Sequence, residues 1–149
     1  MATDGTFSDY CAHSVLNHVH ADGTFAAITD VFVGLTTVIP VVGDTGATVT
    51  EPDATWTNYA RIELVQASHD AAASRRKNYS AIIDFGTAVT TADTNIVGWF
   101  TADSVTIGAG NLLFVGTTDG TIIVQNGNPV SIPANQFDTR IAPEFAAVP

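Results

Sequence analysis

The apolar residues of this chain fall into two textures. From Ser8 they recur at helical spacing, at Ala12, Val15, Leu16 and Val19, with Cys11 beside them. Ser8 suits an N-cap, because its hydroxyl can accept from a free N–H of the first turn. Asp9 then places a negative charge where the helix dipole favours one. The spacing predicts one helix of about three turns over roughly residues 8–21. Asp22-Gly23 is expected to end it, glycine being common just past a helix. Residues 1–7 read as a loose arm and residues 8–149 as a single domain.

Beyond Gly23 the pattern changes to β-branched runs between turn signals. FAAITDVFVGLTTVIPVV has apolar strand positions at Ile28, Val31 and Val33, and Pro40 with Gly43-Asp44 ends it. Residues 43–55 are a loop by composition. In WTNYARIELVQA, 56–67, Trp56, Asn58, Ala60, Ile62 and Leu64 alternate with Tyr59, Arg61, Glu63 and Val65, which predicts a strand. A polar connection over 68–78 precedes strands over 79–86 and 95–102. The segments 111–118 and 121–127 flank Asp119-Gly120, the strongest hairpin signal present. PVSIPA and QFDTRIA supply the last extended pieces. Short strands at this spacing, with no alternating strand–helix pattern, predict a mainly β chain: an antiparallel β-sandwich or jelly roll with one short N-terminal helix. The 21 threonines suit the solvent side of such sheets.

Composition narrows the function. The chain is 46% hydrophobic and only 13% charged, so it has a core to bury and much neutral surface. Its net charge of −10 repels phosphate, arguing against nucleic-acid partners and anionic membranes. The single Cys11 excludes an intrachain disulfide framework and reads as a small buried hydrophobe. No apolar run is long enough for a membrane helix, and the first ten residues lack a signal-peptide pattern.

Candidate chemistry is sparse. His13 and His20 would share a helix face but lie about 10 Å apart along the axis, too far for one metal. His18 and His20, in the last turn, complement the helix dipole without further chemistry. His69 stands alone in the polar connection. Asp44, Glu51 and Asp53 offer hard oxygen ligands for Ca²⁺ but at no known loop spacing, so a solvated acidic loop is the plainer reading. No nucleophile elbow, phosphate loop or zinc signature occurs. No catalytic residue, cofactor or metal is therefore assigned. Arg75-Arg76-Lys77 reverses the local sign of an acidic chain and could dock an acidic neighbour, such as another copy of the chain. Trp56, Tyr59 and Trp99 are either core or an exposed platform for a glycan.

A resemblance can now be stated. Ser8-Asp9-Tyr10 opens the helix, Asp30 to Thr37 reads DVFVGLTT, Tyr59 to Arg61 reads YAR, and Gly110 to Leu113 reads GNLL. A PVSIPANQF segment follows. This order resembles a family of small bacteriophage structural proteins, of the tail-fibre or virion-associated kind. The resemblance implies a non-enzymatic virion component, assembled in the host cytoplasm, whose partners are the major capsid protein or tail proteins. A homo-oligomer such as a trimer is expected. The first expectation is a capsid decoration or cement protein; the alternative is a tail-fibre or tail-tip component that binds a host receptor or glycan. Thr3 and Phe7 in the arm and Arg75, Arg76 and Lys77 in the basic turn are the expected partner contacts.

Overall fold

The computed structural model describes residues 5–72 and 76–140. Its centre is a pair of long antiparallel strands, β6 (Thr94–Ala102) and β7 (Leu112–Val124), drawn from the most apolar late segments of the chain. Around them pair β1 (Gly5–Phe7), β2 (Phe32–Thr36) and β3 (Ile62–Glu63), giving a sheet in the order β1-β7-β6-β2-β3. Helix α1 (Asp9–Val19) follows β1. Two further antiparallel ribbons pair β4 (Arg76–Tyr79) with β9 (Phe137–Arg140) and β5 (Ile83–Thr87) with β8 (Pro129–Ile132). The fold is mainly β with one helix near the N-terminus, and a sandwich describes it.

Side chains alternate across a strand, so the five-stranded sheet has two distinct faces. The first carries Val33, Leu35 and Trp99, packed against Tyr79, Ile83, Phe85, Ile132 and Phe137 of the two ribbons. Trp99 is fully buried, its ring edge-on to Phe137 at 4.9 Å. Gly116, its partner on β7, has no side chain because a Cβ there would collide with the indole. The second face carries Phe100, Ala102, Leu112 and Val115, covered by Val49.

The helix begins as the sequence predicts. Ser8 accepts from the Cys11 N–H at 3.2 Å, and its own hydroxyl donates to the Leu112 carbonyl, tying the cap to β7. Its end differs. Ala21, not Gly23, takes the left-handed conformation, with φ 57°. Asp22 N–H bonds to Asn17 O at 2.9 Å and Ala21 N–H to His18 O at 3.3 Å, the paired bonds of a Schellman ending.

Four other expectations are corrected. Of the arm expected over 1–7, residues 5–7 add an edge strand to β7, and residues 1–4 lie outside the described residues. The extended run over 25–42 keeps strand geometry only at Phe32–Thr36. The strand expected over 56–67 shrinks to Ile62–Glu63: Pro52 starts a 3-10 turn over Pro52–Ala54, and turns carry the chain to Tyr59. Trp56 and Tyr59 therefore lie together in the core, rings 5.4 Å apart, although alternation puts them on opposite faces. The hairpin at Asp119-Gly120 does not form. β7 pairs with β6 on both sides of it, from Gly98↔Thr117 to Ile96↔Ile122. Gly120, at φ 141°, absorbs the extra residues as a bulge, closed by Thr118 Oγ1 donating to Gly120 O at 2.7 Å.

Candidate interaction surfaces

On the first face of the sheet an apolar groove of about 450 Å³ runs between α1, the 25–31 segment and the β4–β9 ribbon. Phe7 and Phe114, register partners whose rings lie 4.7 Å apart, form its floor. Cys11 and Val15 line it from the helix, Phe25 and Ile28 from the segment after it. Lys77↔Thr139 and Tyr79↔Phe137 are register pairs, and all four residues line the groove, as alternation requires. Two expected contact residues 70 positions apart in sequence, Phe7 and Lys77, thus meet at one surface. Arg76 falls opposite Arg140 in the ribbon register, beside Lys77. Thr3 and Arg75 lie outside the described residues.

His69 also lines this groove instead of standing alone in a polar connection. Its ring packs edge-on to Tyr79 at 5.1 Å, and its Nδ1 is buried with no hydrogen-bond partner. Burial, and then the nearby Lys77 charge, hold its pKa below the usual histidine value. Burial pushes the Cys11 thiol up. Sequence reading missed His69 because the sheet bridge to Tyr79 that places it is not a local signal.

The second face carries a different surface. The loop over 38–42 leaves Val38, Ile39, Val41 and Val42 largely exposed, with Ile39 at 58% and Val41 at 60%. It is nonetheless held in place. Asp9 N–H donates to Val42 O at 2.8 Å, and Val41 N–H donates to Asp44 Oδ2 at 2.9 Å. Pro40 packs where a Cβ on Gly98 would stand.

Behind this loop lies a buried polar clasp. Arg61 donates to Glu51 at 2.6 Å and, through Nη1, to the carbonyls of Ser104 and Ala109 at 2.8 and 2.9 Å. Its guanidinium lies 5.0 Å from the centre of the Phe100 ring. The Tyr59 hydroxyl contacts Glu51 at 3.0 Å and accepts from Leu35 N–H at 2.8 Å. Burial, then the Glu51 charge, raise the Tyr59 pKa well above its usual value.

The clasp also dismantles the acidic loop as a calcium candidate. Glu51 is committed to Arg61, Asp44 accepts from Val41 N–H and Thr48 Oγ1, and Asp53 lies exposed in the first turn of the 3-10 segment. His13, His18 and His20 are exposed along α1 and its cap. No three His, Cys, Asp or Glu side chains among the described residues come together as metal ligands. No helix among them is long and apolar enough to cross a membrane. Trp56, Tyr59 and Trp99 are all buried, so they are core and offer no stacking platform.

A family model described as podophage GP4 fiber I protein gp80 matches residues 6–140, and the chain belongs to that family. It is a structural protein of the phage virion. No curated protein sequence matches it.

Proposed function

We propose that the chain is a non-catalytic subunit of a phage fibre, held in the virion by burying apolar surface against other virion proteins. The family match over residues 6–140 carries this reading, because its description names a fibre. It weighs toward the tail-fibre alternative and away from shell decoration. The structure adds what such a subunit needs: two apolar surfaces, the groove and the 38–42 loop, on a folded sheet. The burial of Trp56, Tyr59 and Trp99 removes the rings on which glycan recognition was expected, so the role argued is assembly.

Separating tails from capsids of purified virions, with the chain detected by mass spectrometry, tests this. Enrichment with the tail and its fibres is expected. Enrichment with tail-free capsids would restore decoration, and absence from virions would overturn both.

A further inference from the structure

We propose that the loop over 38–42 of one copy seats in the apolar groove of a second copy, so that subunits join head to tail. The proposal rests on the fibre-subunit reading and names one partner for it.

Both halves of the contact are on one chain. The loop offers four exposed aliphatic side chains, Val38, Ile39, Val41 and Val42, with Ile39 at 58% and Val41 at 60% the most exposed. The groove, at about 450 Å³, is lined mainly by Phe7, Val15, Phe25, Ile28, Phe114 and Phe137. That volume is in the range of about 300–1,000 Å³ typical of sites that bury a ligand's apolar groups.

The two halves cannot meet within one molecule, because the sheet separates them. Phe7 and Phe114 face the groove, while Thr6 and Val115, the adjacent register pair, line the loop side with Pro40, Val41 and Val42. Side chains of neighbouring positions point to opposite faces. A loop on one face and its receptor on the other make a heterologous contact, which leaves a free loop at one end and a free groove at the other. Such contacts propagate as rings or filaments.

Charge points to a second copy. The chain has 15 acidic and only 5 basic residues. Among the basic ones, Arg61 is spent in the clasp, whereas Lys77 lines the groove. Asp9 and Asp44 flank the loop, each within a hydrogen bond of its backbone. Docking brings these acids toward Lys77, which orients the contact.

Light scattering of the full chain over a concentration series tests this, with Ile39→Asp as the loop variant and Val15→Glu as the groove variant. The wild type is expected to assemble with rising concentration. Each variant alone is expected to raise the concentration for half-assembly by at least about tenfold. A mixture of the two is expected to form a dimer and nothing larger, since only one intact loop and one intact groove remain to pair. Circular dichroism and the melting temperature report whether Val15→Glu folds. If it does not, Lys77→Glu replaces it, and assembly weakened by Lys77→Glu should recover on mixing with Asp9→Lys. Assembly untouched by the loop and groove variants, or a wild type that stays monomeric, overturns the contact. A chain found in virion fibres under either of those outcomes leaves the fibre reading standing. A chain missing from virions overturns the fibre reading whatever the scattering shows.

Discussion

On one face of the five-stranded sheet, Trp99, Leu35 and Val33 meet two β-ribbons across an apolar core. On the other face, loops over 44–51 and 103–110 are drawn down by Arg61, Glu51 and Tyr59. The ribbons pair their own backbone groups, β4 with β9 and β5 with β8, so apolar burial alone can hold them. The loops have no strand partner. Their carbonyls at Ser104 and Ala109 need donors when buried, and a guanidinium has enough N–H groups to serve both and still bind a carboxylate. Covering a sheet with irregular chain therefore called for a buried charge, and the charge called for its own counter-ion.

That contrast can be broken from either side. Trp99→Ala should cost the most, about 3–5 kcal/mol from a cavity at the centre of the apolar face, read by urea unfolding. Arg61→Met should cost about 3 kcal/mol or more, because it leaves Glu51 buried without its cation and two carbonyls without donors. Glu51→Gln keeps an acceptor for Arg61 and should cost less than Arg61→Met. An Arg61→Met variant as stable as wild type would mean that the clasp holds nothing.

Two titratable groups should also make stability fall at opposite ends of the pH scale. Tyr59 stays neutral in the fold, while in the unfolded chain it ionises near the ordinary tyrosine value of 10.0. Its contribution is complete below that pH and is lost as pH rises beyond it. His69 resists protonation in the fold, whereas unfolded it takes a proton near 6.5. Its contribution is present above that pH and is lost as pH falls through it. Melting curves across pH should show both slopes, with Tyr59→Phe flattening the alkaline one and His69→Phe the acid one. If neither variant changes its slope, the burial argued for these two groups is wrong.

The smallest expected effect is a gain. Ala21→Gly relieves a left-handed alanine at the helix end and should stabilise by roughly 0.5–1 kcal/mol, read as a small rise in melting temperature.

What could be seen in the sequence followed local rules. Ser8 and Asp9 marked the helix start because capping spans only three residues, from Ser8 to the Cys11 N–H. NIVGWFTA read as a strand and became the body of β6 because its apolar run suits a strand covered on both faces. Phe7 and Lys77 were named as contacts for reasons of position and charge, yet nothing in the sequence joined them. Where local signals failed, distant partners had overruled them. Asp119-Gly120 is a strong hairpin signal, but β6 offers pairing on both sides of it, so the chain bulges and continues. The alternation of 56–67 gave way to the burial of Trp56 and Tyr59 in one cluster.

By itself, then, the sequence determined the helix, the β class, the acidic sign and the virion family, because each rests on composition or on residues a few positions apart. Only the tertiary structure decided that Glu51 serves Arg61 instead of an ion. Only it brought Phe7, His69 and Lys77 to one groove and put the 38–42 loop on the opposite face. The reason is physical: a sheet register joins residues such as Ser8 and Leu113 across the length of the chain, and it is chosen by the burial of the whole core.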